Sequence, residues 1–318
     1  LSKIVVTGGA GFIGSHLCEA LLRDGHVVVA LDSFDDFYDP HIKRRNLEAA
    51  TTNERFTLVE GDIRDEHVVS EVMRDDVDIV MHLAARAGVR PSIEHPALYA
   101  DVNVRGTAVL LEACHRYGIK KFIFGSSSSI YGNNKKVPFA ESDPVDDPIS
   151  PYAATKKAGE LLCHTYHHLY GMAITCLRLF TVYGPRQRPD LAIYKFARLI
   201  SADKPIPVFG DGSMMRDFTY IDDIVDGIMR AIQHCQGYRI YNLGESQPVP
   251  LSDLITSLEE ALGSKAIIDR QPLQPGDVER TYADVTLAGK ELGYQPSTDL
   301  RTGLARFVKW FRDDMNRL

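Results

Sequence analysis

Lys3-Ile4-Val5-Val6-Thr7-Gly8-Gly9-Ala10-Gly11-Phe12-Ile13-Gly14 decides the fold of this chain. An apolar, β-rich run from Ile4 to Thr7 ends directly in Gly8, and Gly11 and Gly14 follow at intervals of three. Phe12, Ile13, His16, Leu17, Ala20 and Leu21 then recur at helical spacing, so the glycines sit in a strand-to-helix turn. That is where a dinucleotide pyrophosphate docks. Gly8 makes the tight turn, Gly11 lets the backbone approach the phosphates and Gly14 lets helix pack closely on strand, while the helix N-terminus offers free N–H groups and a positive dipole end. Three glycines alone also occur in ordinary turns, but here the strand, the helix and a second strand closing on Asp32 are all present.

Asp32 ends the run Val27-Val28-Val29-Ala30-Leu31-Asp32. An acid there accepts hydrogen bonds from the adenosine ribose hydroxyls and repels a 2′-phosphate, so the expected cofactor is NAD rather than NADP. The competing role for Asp32 is simply to open a loop, since Asp35, Asp36 and Asp39 follow in an acidic, aromatic stretch.

Further strand-like runs, Phe56 to Val59, Ile79 to Leu83, Phe122 to Phe124 and Ile174 to Leu179, alternate with helical patterns. The alternation predicts an α/β Rossmann-type doubly wound parallel sheet, and the continuously apolar strands predict helices on both faces. Two long helices are expected at about Val104 to Tyr117 and Tyr152 to Tyr170, closed by Gly118 and Gly171. After Phe180 a breaker-rich loop, Gly184 to Asp190, and shorter mixed elements predict a smaller mixed α/β lobe. We assign residues 1–180 and 215–245 to the NAD-binding domain, and 181–214 and 246–318 to the lobe that would bind substrate.

At 318 residues and a net charge of −7, with no basic block beyond Lys43-Arg44-Arg45, the chain is not expected to carry a nucleic-acid surface. No apolar stretch is long enough to span a bilayer. Leu1 is not an initiating methionine, which points to a trimmed leader or tag. Cys18, Cys114, Cys163, Cys176 and Cys235 are odd in number and never in a C-x-x-C arrangement, as expected of reduced thiols in the cytoplasm. His164 and His168 stand four apart with His167 beside them, a spacing that could bind zinc, but no Glu follows the first His and no further ligand is evident, so no metal is expected.

Tyr152 and Lys156 stand four apart and therefore share one helix face. On that face an ammonium can favour a tyrosinate, and a tyrosinate can take a hydroxyl proton while hydride leaves the same carbon. Such a pair alone is usually an exposed contact. Here it follows a strand that runs into Gly125-Ser126-Ser127-Ser128-Ser129-Ile130-Tyr131-Gly132, and ligands of open α/β sheets sit at carboxyl strand ends. Ser127 and its neighbours can donate to a sugar oxygen and then to the developing carbonyl.

With both motifs present, the chain resembles the extended short-chain dehydrogenase/reductases, in particular the NAD-dependent nucleotide-sugar epimerases and dehydratases. The resemblance runs nearly end to end, through Gly61-Asp62-Ile63, His82-Leu83-Ala84-Ala85, Asn103 to Thr107, Arg216 to Asp223 and Pro275-Gly276-Asp277-Val278. It implies Ser127, Tyr152 and Lys156 as the catalytic trio. For the cofactor it implies Gly8, Gly11, Phe12, Ile13, Gly14, Asp32, Asp62, Ile63, Leu83, Ala84, Ala85 and Asn103, together with Tyr152 and Lys156. It also implies a UDP-sugar substrate in the second lobe, with Arg216 on the pyrophosphate, Phe209 and Asp277 near uridine, and a homodimer built on the two long helices.

Dehydratases of this kind carry an Asp-Glu pair just after the catalytic hydroxyl residue, and the decarboxylases carry a Glu in the second of those positions. Here Ser128 and Ser129 stand there, so 4-epimerisation fits best. Ala87 to Glu94, with Arg90, and Thr181 to Asp190, with Arg188, look most like UDP-glucuronate 4-epimerases. Arg188 is the natural partner for a sugar carboxylate, with Thr181, Ser128 and Ser129 beside it. The alternatives are a UDP-glucose or UDP-N-acetylglucosamine 4-epimerase, and further off a UDP-glucuronate decarboxylase, a sugar-nucleotide dehydratase or a non-catalytic NAD-binding sensor.

Overall fold

The computed structural model describes residues 1–272 and 280–315. Its strands are β1 (Lys3–Thr7), β2 (Val27–Asp32), β3 (Phe56–Glu60), β4 (Ile79–His82), β5 (Lys121–Ser127), β6 (Ala173–Leu179), β7 (Thr181–Tyr183), β8 (Ile206–Phe209), β9 (Met215–Tyr220), β10 (Tyr238–Leu243), β11 (Pro248–Pro250), β12 (Ile268–Gln271) and β13 (Arg280–Thr281). Seven of them form one parallel sheet in the order β3-β2-β1-β4-β5-β6-β10. The chain winds outward in both directions from β1 and β4, so the loops leaving their carboxyl ends diverge and a crevice opens between them.

Both faces of this sheet are covered, as the apolar strands require. Ile4 and Val6 pack with Leu17 and Leu21 of α1 (Phe12–Arg23), whereas Val5, between them, faces the opposite core with Leu110 and Cys163. The helices after α1 are α2 (Pro40–Asn46), α3 (Glu66–Met73), α4 (Val89–Glu94), α5 (Pro96–Ala100), α6 (Gly106–Arg116) and α7 (Pro151–Tyr170). The first long helix begins later than its apolar spacing indicates: a π turn over Asp101–Arg105 joins α5 to α6. All five cysteines are buried and unpaired. Among the described residues no helix is long and apolar enough to cross a membrane.

The second lobe is built on β9, which pairs antiparallel with β11 and parallel with β7 and β13, while β8 and β12 form a separate pair. Residues 215–245 therefore divide between the two sheets: β9 belongs to the small one, and β10 joins the edge of the large one. The helix connecting them, residues 221–233, packs on α1.

Helix α7 is fixed at both ends and in its middle. The Ser150 hydroxyl accepts from Ala153 N–H at 3.1 Å, Pro151 opens the first turn, and Gly171 closes the last in the left-handed region. Gly159 lets the helix close onto the Phe124 ring of β5, where any Cβ would collide. One turn beyond Lys156, Glu160 forms a fully buried ion pair with Arg178 of β6 at 3.0 Å, each side chain 2% exposed, and accepts from Ser126 at 2.7 Å. Because either charge without the other would be stranded in the core, this pair pins the register of α7 against β5 and β6.

Candidate active site

A cleft of about 590 Å³ lies along the carboxyl ends of the large sheet. Gly8, Gly11, Phe12, Ile13 and Gly14 line one end of it. The glycines are demanded by space: Gly8 is at φ +71°, a Cβ there would stand 2.8 Å from Ala84 N, and one on Gly14 would collide with Gly8 O. The loop after β4, with Leu83, Ala84 and Ala85, forms the facing wall. A buried chain of hydroxyls locks the two walls together. Thr107 donates to Asn103 O at 2.6 Å, so His82 Nε2 carries the proton that reaches Thr107 at 3.0 Å, and His82 Nδ1 accepts from Thr7 at 2.7 Å. Thr7 Oγ1 in turn accepts Ala84 N–H at 3.2 Å. Burial lowers the His82 pKa to about 3, which keeps the ring neutral as this arrangement requires.

Asp32 lines the cleft, buried, and accepts from Ala10 N–H at 3.0 Å and Phe34 N–H at 2.9 Å. Burial pushes its carboxyl up, while those two donors and the Lys43 ammonium oppose the shift. Ile63 and Asp62 lie further along, the Asp62 carboxyl held below its usual range by Arg64 at 2.6 Å. Asn103 does not line the cleft. It sits in the π turn, where its amide accepts from Arg86 N–H at 2.7 Å and donates to Arg86 O and Thr155 Oγ1, each at 3.0 Å. It therefore positions the cleft wall against the first turn of α7. The cradle fits NAD: glycines where pyrophosphate would pass, and an acid where ribose hydroxyls would lie.

Ser127, Tyr152 and Lys156 meet in the same cleft. Ser127 Oγ accepts from Ser129 N–H at 3.2 Å and from Ser129 Oγ at 3.0 Å, which leaves its own proton for the Tyr152 phenol. Lys156 Nζ donates to Gly125 O at 2.7 Å and stands 5.1 Å from the centre of the Phe124 ring. Burial raises the Tyr152 pKa, and the groups that counter it are Ser127 and the guanidinium of Arg188. Burial likewise lowers the Lys156 pKa to about 8.

Arg188, Thr181, Ser128, Ser129 and Arg90 also line the cleft. A second cavity of about 330 Å³ adjoins it, sharing Arg90, Thr181 and Arg216 and adding Phe209. The Arg90 guanidinium stacks 4.5 Å above the Phe209 ring. Arg188 makes a fork with Asp190, Nε to Oδ1 at 2.9 Å and Nη2 to Oδ2 at 2.8 Å, which outweighs burial and raises its pKa. Asp277 lies outside the described residues.

Sequence reasoning missed Lys43, Phe37 and Arg86, which also line the cleft. The Phe37 ring lies under both Arg86, at 5.1 Å, and Arg188, at 5.6 Å, and Asp35 pairs with Arg86. The signal for Phe37 was the acidic, aromatic stretch after Asp32, and Arg86 directly follows His82-Leu83-Ala84-Ala85.

Residues 4–244 match the NAD dependent epimerase/dehydratase family. The chain belongs to that family. Among its curated relatives, UDP-glucuronate 4-epimerase 4 of Arabidopsis thaliana is 45% identical over 97% of this chain and 75% of its own length. Among solved structures, the UDP-glucuronic acid 4-epimerase of Bacillus cereus, in complex with UDP-glucuronic acid and NAD, has a TM-score of 0.93 at 39% identity, covering 98% of this chain and 99% of that one. A Thermotoga maritima UDP-glucose 4-epimerase with UDP-glucose follows at 0.90 and 33%, with coverage of 98% and 99%. The family is NAD-dependent, and the glycine cradle is the part of this cleft that fits such a cofactor.

Proposed function

We propose that this protein is an NAD-dependent UDP-sugar 4-epimerase acting on UDP-glucuronate and UDP-galacturonate. The observation that carries the reading is one continuous cleft lined by the glycine cradle, by Ser127, Tyr152 and Lys156, and by Arg188. NAD in the cradle supplies a hydride acceptor that is regenerated in each turnover. Tyr152 takes the 4-hydroxyl proton, Ser127 donates to the sugar oxygen, and Lys156 holds the cofactor ribose. Ser128 and Ser129 offer hydroxyls where elimination would need a carboxylic acid, which favours return of hydride to the opposite face of a 4-keto sugar. Arg216 is assigned to the pyrophosphate, where a guanidinium fork fits, and Phe209 and Asp277 to uridine. The names of the Arabidopsis and Bacillus relatives point to the same substrate. Incubation with UDP-glucuronate, UDP-glucose, UDP-N-acetylglucosamine and UDP-xylose, with chromatography for the C4 epimer, tests the reading. Turnover of the neutral hexoses alone would refute it.

The Arg188–Asp190 fork favours one second reading, a neutral UDP-hexose epimerase in which Arg188 only braces its loop. A silent NAD-binding sensor has no comparable support, since it needs neither Ser127 nor Tyr152.

Asp32 is assigned to the ribose hydroxyls. Asp32→Ala is expected to weaken NAD binding and to relax discrimination against NADP, as titration of both cofactors would show. A wild type that already prefers NADP would contradict the assignment.

The NAD-binding domain is assigned to residues 1–180 and 215–245, and the UDP-sugar lobe to the remainder, with β9 contributing Arg216 to the cleft from the small sheet. The free, buried thiols fit a cytoplasmic setting. We assign a homodimer to α6 and α7, because Leu161 and Leu169, two turns apart on α7, are 57% and 59% exposed. Leu161→Arg with Leu169→Arg is expected to give a folded monomer in sedimentation. An unchanged mass would place the interface elsewhere.

A further inference from the structure

Arg188 and Asp190 lie in one loop, so their fork moves with the loop and cannot set its position relative to the cofactor cradle. Beyond the Phe37 ring beneath Arg188, α1 holds the loop at two points. His16 Nε2 donates to Pro185 O at 2.9 Å, and Arg186 Nη2 donates to Glu19 Oε1 at 2.7 Å. Pro185 O is an acceptor only, so the imidazole is protonated on Nε2; burial and Arg186 lower its pKa to about 4 and keep it neutral. His16 and Glu19 are three apart on one helix face, and His16 stands edge-on to Phe12 at 6.0 Å. Phe12 itself lines the cleft. Between these two contacts and Arg188, Arg186 holds φ +64°. A non-glycine residue keeps that conformation only where its surroundings fix it.

We propose that His16 and Glu19 are specificity-positioning residues: through Pro185 and Arg186 they hold the Arg188 guanidinium where it meets a sugar carboxylate, so the cofactor helix sets the preference for an acidic sugar. This rests on the reading of Arg188 as the carboxylate partner. Neither residue lines the cleft. Their effect is on where a charge stands, which matters to UDP-glucuronate and not to UDP-glucose.

The test measures kcat and KM for both sugars in His16→Phe, Glu19→Gln, Arg188→Ala and the exchange Glu19→Arg with Arg186→Glu. The two single anchors are expected to lower kcat/KM for UDP-glucuronate by on the order of tenfold, mainly through KM, as coupled neighbours do. UDP-glucose turnover and retained NAD, read from the absorbance of the purified protein, should not change. The charge exchange should recover most of the acid preference, and it decides the matter if a single variant folds poorly by circular dichroism. Equal losses on both sugars would make His16 and Glu19 plain lobe fasteners and overturn the proposal. If Arg188→Ala loses the acid preference while the His16 and Glu19 variants keep it, this proposal fails and the carboxylate reading stands. If the wild type has no acid preference, both fall.

Discussion

Tyr152→Phe is expected to keep its fold and its bound NAD and to lose about a hundredfold to ten-thousandfold of its turnover, the usual contribution of a positioned proton acceptor. The ring stays, so the packing of the first turn of α7 stays. Only the phenol oxygen is removed, the atom that the free Ser127 proton addresses. Burial raises the Tyr152 pKa in the free protein, so the phenol is protonated at neutral pH before substrate enters. The groups that favour its ionised form are Ser127 and the Arg188 guanidinium. Stopped-flow or steady-state assay of the epimer, with retained NAD measured alongside, checks the prediction. Activity within a few-fold of the wild type would remove Tyr152 from the chemistry.

The large sheet was legible because its physics is local. A parallel strand covered on both faces must be apolar at every position, and a strand-to-helix turn that closes on a phosphate site must have glycine where Gly8 and Gly14 stand. The lining of the cleft was legible where residue types stand at a fixed spacing: Tyr152 and Lys156 are four apart, and both line the cleft with Ser127. Helical spacing fixes a shared face but not the direction of a long side chain, which is why Lys156 Nζ at Gly125 O was not foreseen. Asn103 shows the same limit. A buried amide with four hydrogen-bonding sites takes whatever backbone is near, and here that is Arg86 in the cleft wall, the structural one of the two roles open to Asn103. Strand β9 could not be assigned to its sheet from its own pattern, because its partners β7, β11 and β13 are short and distant in sequence. Long-range side-chain contacts, such as Phe37 under Arg86 and Arg188, leave no periodic trace at all.

Arg188→Ala is expected to lower kcat/KM for UDP-glucuronate by about ten- to hundredfold more than for UDP-glucose, since a charged hydrogen bond contributes about 1.5–3 kcal/mol. It should also change the products. Oxidation of UDP-glucuronate at C4 gives a β-keto acid, which loses CO2 when the bond from C5 to the carboxylate stands perpendicular to the carbonyl plane. An epimerase must hold that bond away from the perpendicular while the ring turns over. The cleft has the groups for such a clamp, since Arg188, Thr181, Ser127, Ser128 and Ser129 all line it. Asp190 takes the Nε and Nη2 side of the guanidinium, which leaves the Nη1 side for the substrate. Its own side chain is 38% exposed, so it returns to water when Arg188 is removed and the loop survives the substitution. Without the clamp, a UDP-4-keto-pentose should appear beside the epimer in an amount up to that of the bound NAD, since its release leaves the C4 hydride on the cofactor as NADH; chromatography, release of CO2 and the absorbance of NADH detect it. Equal losses on the acidic and the neutral sugar, with no keto-pentose, would show that Arg188 braces its loop, and would move the substrate to a neutral UDP-hexose.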